Sequence, residues 1–189
     1  KDIINDVKNL VNILGVSYIE STGEAEGLAS ELCRQNHVDF VISEDMDCLP
    51  FGAGNLVRNC IDKTVKMKDS ITIFNLDKIL ESFELTHNQF IELCIMCGCD
   101  YCKNIPRIGS MTAYKIIKKY GSIENYLKST TVKNLPEDYE EKYKKSIELF
   151  NIYNKKLNMD EINMHSSHID IAQVVNYLTV KCNYNLNKI

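Results

Sequence analysis

The sequence predicts an α/β fold: a partial parallel-sheet core over residues 1–100, with an all-helical region appended over residues 101–189. Three observations carry this. Short apolar runs alternate with segments of helical period as far as Gly98. The run Val38–Ser43 is almost wholly apolar, as a buried parallel strand requires. After Gly98 only helical periodicity remains.

Each element follows from its residues. Ile3, Ile4, Val7, Leu10, Val11 and Leu14 recur at helical spacing, which predicts a helix over 2–14 ending at Gly15. Val16–Ile19 reads as a short strand. Thr22-Gly23-Glu24-Ala25-Glu26 opens a second helix with Ala25, Leu28, Ala29 and Leu32 on its apolar face. Val38–Ser43, Leu56–Ile61 and Ile71–Phe74 read as strands, and Leu76–Phe83 as a helix. Thr86-His87-Asn88-Gln89 is a capping-box pattern, so a helix runs from about His87 to Cys97. The helices expected beyond it span about Ser110–Tyr120, Ile123–Leu127, Glu137–Asn151 and Ile169–Cys182.

Composition excludes several classes. The 189 residues are 44% hydrophobic and 25% charged, ordinary for a globular domain. No apolar run approaches the roughly 18 residues of a membrane helix, so no membrane partner is expected. No apolar signal segment follows Lys1, and the chain starts at Lys rather than Met, so it is expected to be a piece of a longer protein. The eight cysteines sit inside apolar runs and read as reduced thiols. Cys94, Cys97, Cys99 and Cys102 have a spacing that could hold zinc, but Cys94 and Cys97 lie on an apolar helix face and read as packing. Tyr101 reads as a buried aromatic, or as a platform for a base or sugar.

The net charge of −4 conceals an asymmetry. Residues 1–100 hold 8 Lys/Arg against 17 Asp/Glu, and residues 101–156 hold 12 against 6. An acidic half beside a basic half fits a cation site next to a polyanion site; two solvated surfaces of opposite sign are the alternative.

The acidic half carries one constellation. Glu24 and Glu26 stand at a helix start, where the helix dipole favours anions, as caps or as ligands. Asp45 and Asp47 follow the strand Val38–Ser43, at the carboxyl end where open α/β sheets place their sites. On extended backbone the two would point the same way. Asp100 follows Gly98 at the junction with the basic half. Carboxylates gathered in one place repel unless cations compensate. Oxygen donors without His or Cys suit Mg²⁺ or Mn²⁺, and these suffice for two ions roughly 4 Å apart, the arrangement that hydrolyses phosphodiesters. A strand followed by Asp-x-Asp also marks haloacid-dehalogenase-type phosphatases, although these want Thr or Val where Leu49 stands.

In the basic half, Asn104-Ile105-Pro106-Arg107-Ile108-Gly109-Ser110 links two helices, and the second carries Lys115, Lys118 and Lys119. A turn with Gly at a helix start offers backbone N–H groups to a phosphate, and lysines add a sequence-independent attraction. This is the pattern of a helix–hairpin–helix clamp on a DNA backbone; an ordinary helix connection with a solvated Lys face is the alternative.

Four stretches together resemble the flap endonuclease family: Gly23-Glu24-Ala25-Glu26, the run Ser43–Gly52 (SEDMDCLPFG), the run Leu93–Cys102 (LCIMCGCDYC), and Ile105–Ala113. The likeness keeps their order and covers nearly the whole chain. It implies the C-terminal part of a nuclease core, a helix-two-turn-helix, and a full protein that cuts 5′ flaps with Mg²⁺ in replication and repair. By motif position, Glu24 and Glu26 look like ligands of a first ion or bridges between two. Asp45 and Asp47 look like ligands of a second, and Asp100 like a further ligand of it, directly or through water. The hairpin, with Ile105, Arg107, Gly109, Ser110, Lys115, Lys118 and Lys119, looks like the duplex contact, with K⁺ on its backbone carbonyls. The resemblance implies branched DNA as partner and a nuclear or viral replication compartment.

Two departures accompany it. Arg107 replaces the first Gly of the family's Gly-Ile-Gly hairpin, and Met111 replaces the basic residue after it. The family's N-terminal part, with two further metal-binding Asp residues and an arch bearing catalytic Lys and Arg, has no counterpart here, nor does its sliding-clamp motif. The 189 residues are therefore expected to be inactive without an N-terminal nuclease segment, in cis or as a separate chain. A branched-DNA-binding module without catalysis is the second reading.

Overall fold

A computed structural model describes residues 2–60, 71–129, 132, 134–152 and 168–185. Ile61, at the end of one expected strand, lies outside them. The chain forms two compact units, one of residues 22–157 and one of residues 1–21 with 158–189.

The larger unit opens with α1 (Ala25–Arg34), whose buried face is Gly27, Ser30, Glu31, Leu32 and Cys33 rather than the expected stripe. Glu31 is fully buried, and burial of a lone carboxylate would be costly. Arg34 compensates with two charge-assisted bonds, Nε to Oε2 at 2.8 Å and Nη2 to Oε1 at 2.6 Å, and Gln35 adds a third.

Three strands follow: β1 (Val41–Ile42), β2 (Asn55–Arg58) and β3 (Thr72–Asn75), in that spatial order. β1 pairs parallel with β2, as expected, but β3 pairs antiparallel. The sheet is therefore mixed, not parallel, because apolar content signals a buried strand and carries no information on its neighbour's direction. The cross-strand row Val41, Leu56, Phe74 faces a core shared with Cys33, Leu76 and Phe90. In the opposite row Ile42 and Ile73 are 57% and 56% exposed, while Val57 between them is buried.

β3 runs straight into α2 (Leu76–Phe83), with Asn75 as N-cap accepting from the Lys78 amide at 3.0 Å. α3 (His87–Cys97) starts at the expected capping box of Thr86 and Gln89. It stops at Gly98, whose φ of +100° suits only glycine. Then come α4 (Ser110–Tyr120), α5 (Ile123–Ser129) and α6 (Tyr139–Phe150), all close to expectation. Ile91, Ile95 and Met96 of α3 share one core with Ile105, Ile117 and Tyr143. The chain's character changes near residue 100, but its packing runs through that point without a break.

In the smaller unit, α7 (Asp2–Ile13) ends at Gly15 with φ +68°. The strand expected at Val16–Ile19 is not formed: among the described residues the segment pairs with no strand, and Val16 and Tyr18 are exposed. The expected helix at 169–182 is α8 (Ile171–Asn176) passing into a π-helical turn, Tyr177–Lys181. The Tyr177 hydroxyl donates to the Asp6 carbonyl at 3.0 Å. Among the described residues no helix is long and apolar enough to cross a membrane.

Candidate metal centre and nucleic-acid interface

Two segments of the larger unit bring carboxylates together. Glu24 is the N-cap of α1 in extended conformation, with no capping bond from its own side chain, and Glu26 lies in the first turn. The first segment is tied to the second by Ser30, whose hydroxyl donates to the Cys48 carbonyl at 3.1 Å, with both residues fully buried. The second segment leaves β1 and winds into a 3-10 turn, Met46–Cys48. The Asp45 amide donates to Ser43 Oγ at 3.0 Å, and the Asp47 amide donates to Asp45 Oδ1 at 2.8 Å. Asp45 is extended but Asp47 is in the turn, so their proximity comes from this local bond and not from strand alternation. Glu44 faces elsewhere: it accepts from the Asn59 amide at 2.9 Å and lies 3.6 Å from Arg58 Nε. From the far side His87, at the start of α3, sets its Nε2 3.4 Å from the Leu49 carbonyl and braces the same loop.

Asp47 sits at the centre of the field. Burial and the negative charges of Asp45, Asp100, Glu24 and Glu26, in that order, push its carboxyl up to about 6. All five carboxylates singled out in the sequence are therefore within Coulomb range of one point. They do not converge as a cage: among the described residues no three His, Cys, Asp or Glu side chains are grouped closely enough to hold one ion. Like charges account for this, since Glu24, Asp45 and Asp100 are exposed and can spread into solvent. The donor set nevertheless fits a hard divalent cation: it is all oxygen, and one carboxyl is already driven toward its neutral form by its neighbours. The cysteines at 94, 97, 99 and 102 are free thiols.

Tyr101 connects this field to the helical core. Its phenol is pushed well up, by burial first and by the negative charges of Glu24, Asp47 and Asp100 second.

The hairpin residues separate into distinct roles. Ile105 is 1% exposed, so its side chain belongs to the core and cannot be a contact. Its carbonyl accepts from the Ile108 amide at 3.0 Å, closing a turn with Pro106 and Arg107 at its corners. Arg107 is exposed and has φ +70°, the conformation that the third position of a type II turn assigns to glycine. Gly109 caps α4 without a side-chain bond, and Ser110 is exposed at its first turn. Lys115 is exposed. Lys118 is engaged instead by Glu84, with Nζ 2.7 Å from Oε2 and 3.3 Å from the Glu84 carbonyl, so it ties α4 to the end of α2. Lys119 Nζ lies 4.9 Å from the centre of the Tyr120 ring.

Ser30 and His87 are the contributors that sequence reasoning missed. A serine in place of an apolar residue on the inner face of a helix was the available signal for the first; the second carries none.

Residues 15–100 match the family model described as the XPG I-region. The chain is similar to a flap endonuclease 1-A of Sorghum bicolor, 41% identical over 160 residues that cover 84% of this chain and 41% of that relative. It thus spans about two fifths of the length of that relative. In fold it is similar to a flap endonuclease-1 of Methanococcus jannaschii, with a TM-score of 0.77, 23% identity, and coverage of 99% of this chain and 54% of the other. It is also similar to a Holliday junction-resolving enzyme, GEN1, solved with product DNA, Mg²⁺ and Mn²⁺, at a TM-score of 0.71, 20% identity, and coverage of 93% and 50%.

Proposed function

The chain belongs to the flap endonuclease family, and we propose that it is the metal-binding and duplex-holding part of a structure-specific 5′ nuclease acting on branched DNA in replication and repair. The observation that carries this is the carboxyl of Asp47, pushed up to about 6 by burial and then by the charges of Asp45, Asp100, Glu24 and Glu26 that surround it. Four charged neighbours around one half-buried acid are costly in any structural role, and a pair of divalent cations offsets that cost. Glu24 and Glu26 would hold one ion, and Asp45, Asp47 and Asp100 the other. When bound, Mg²⁺ supplies Lewis-acid chemistry, lowering the pKa of attacking water and stabilising the leaving oxygen.

The chain's own residues do the rest. The turn at 46–48 and the Ser30 bond keep the two carboxylate pairs in one place. Arg107, the free amides at the start of α4, Lys115 and Lys119 would hold phosphates of the uncut duplex, which positions without reading sequence. K⁺ on the hairpin carbonyls is compatible with the Ile105–Ile108 bond, because a carbonyl oxygen has two lone pairs.

We also propose that these 189 residues alone do not cut efficiently. The family's arch and its two further metal-binding Asp residues belong, by the resemblance, to the part of the relatives that this chain does not span. Adding that part in trans would restore cleavage. The nucleus, or a viral replication compartment, is the proposed site of action.

The test is cleavage of a 5′-flap substrate by the protein carrying this chain with Asp47→Asn. The expected result is loss of rate by orders of magnitude with flap binding retained. Full activity would refute the proposal.

A further inference from the structure

We propose that the apolar cavity shared by Asp47 and the start of α4 seats the sugar face of the bound duplex, and that it selects deoxyribose over ribose in the strand that crosses it. This rests on the reading of the chain as the duplex-holding part of a nuclease. The cavity measures about 590 Å³, within the range of ligand-sized clefts. Asp47, of the carboxylate centre, and Ser110, in the first turn of α4, both line it. Its floor is the buried side chains of Leu49, Phe90 and Leu93. Its rim includes Phe83 and Met111, which are 39% and 68% exposed. Among the described residues Asp47 is the only charged side chain that lines it.

The two polar borders decide what fits. A cation held at Asp47 would attract one phosphate, and the first amides of α4, which Gly109 caps without a side chain, another. A ligand with an anion at each border and carbon between them is a nucleic-acid backbone: phosphate, sugar, phosphate. A lipid offers one anionic head and a long tail, and a wholly polar ligand would leave Phe83 and Met111 uncovered. The choice between sugars is then chemical. Deoxyribose presents a methylene at C2′, whereas ribose presents a hydroxyl that both donates and accepts. Laid on the Phe83 ring and the Met111 thioether, that hydroxyl loses water and gains no comparable partner. The Tyr114 hydroxyl, which also reaches this region, already donates to the Phe83 carbonyl at 3.1 Å.

The test is binding of the intact protein to a 5′-flap duplex, read by fluorescence anisotropy, with Ca²⁺ standing in for Mg²⁺ as an oxygen-ligated ion. Single ribonucleotides replace deoxyribonucleotides one position at a time, in each strand. Wild type is compared with Met111→Gln. Met111 is exposed, so the substitution spares the core, and a Gln amide offers the hydroxyl both a donor and an acceptor. The expected result is a window of one or two adjacent positions, in one strand, where ribose weakens wild-type binding about 10-fold. Ribose elsewhere should cost little, and Met111→Gln should shrink the loss within the window. Equal affinity at every position would overturn the inference and leave the duplex-holding reading standing. So would a loss that is uniform along the duplex, or one that Met111→Gln leaves undiminished. No binding of the all-DNA flap by wild type would overturn both.

Discussion

Ser30 Oγ donates to the carbonyl of Cys48 across 3.1 Å inside the core, and this bond joins the helix bearing Glu24 and Glu26 to the turn bearing Asp45 and Asp47. Ser30→Ala would remove one of two donors to the Cys48 carbonyl, which also accepts from the Ala53 amide at 2.9 Å. The expected cost is about 0.5–1.5 kcal/mol, read as a lower midpoint in urea unfolding. Mn²⁺ affinity should fall as well, because the two carboxylate pairs lose their common anchor. Unchanged stability would mean that the Ala53 amide alone satisfies the carbonyl.

Asp47 makes the metal-free protein pH-sensitive in a definite direction. Its folded carboxyl is raised from 3.8 to about 6, so between those values the folded state holds a proton that the unfolded state has released. Its contribution therefore becomes more unfavourable as pH rises through that window and is constant above it. Asp47→Asn should raise the melting temperature at pH 7.5 and leave it nearly unchanged at pH 4. With Mn²⁺ present the order at pH 7.5 should reverse, since only wild type gains from the ion. An equal gain from Asp47→Asn at both pH values would mean that the effect is not electrostatic.

His87 gives a second sign to check. Burial lowers its pKa from 6.5, so the unfolded chain takes up a proton before the folded one does. Its contribution to stability is full above the unfolded value and is lost as pH falls below it. His87→Gln should flatten that acid limb in a comparison of melting temperatures at pH 7.5 and 5.5. An unaltered limb would assign it to other groups.

Arg107 combines strain and charge at one position. With φ at +70° it adopts a conformation that glycine enters freely and other residues enter at a cost of about 1 kcal/mol. Arg107→Gly should therefore stabilise the protein while weakening duplex binding, and Arg107→Ala should weaken binding without stabilising it. Both should reduce the salt slope of binding by about one unit, alike for all sequences. A sequence-dependent loss in a fluorescence anisotropy titration would mean that Arg107 reads bases.

The two lysines of α4 should respond differently. Lys115→Ala should lower duplex affinity and its salt slope, whereas Lys118→Ala should change the slope little, since that ammonium is engaged by Glu84. Equal effects would show that the Glu84 pair opens on binding.

What was legible in the sequence was local. Thr86 and Gln89 announce α3 because the capping box is completed within four residues. Asp45 and Asp47 stand out because an apolar strand runs straight into acid. Glu24 and Asp100 could be named as partners only through the family resemblance, since nothing in their own segments points 20 to 75 residues along the chain. The antiparallel β3, the engagement of Lys118 and the Ser30–Cys48 bond were not legible, because each depends on a partner that periodicity does not encode. The strand expected at Val16–Ile19 failed for the same reason: apolar residues propose a strand, and only a neighbour makes one.

The most direct test of the metal centre is anomalous diffraction from a crystal of the protein soaked in Mn²⁺. At least one strong peak should lie among Glu24, Glu26, Asp45, Asp47 and Asp100, with an Asp47 oxygen in its coordination shell. Five carboxylates that stay apart at saturating Mn²⁺, or a peak bound only elsewhere, would contradict the account.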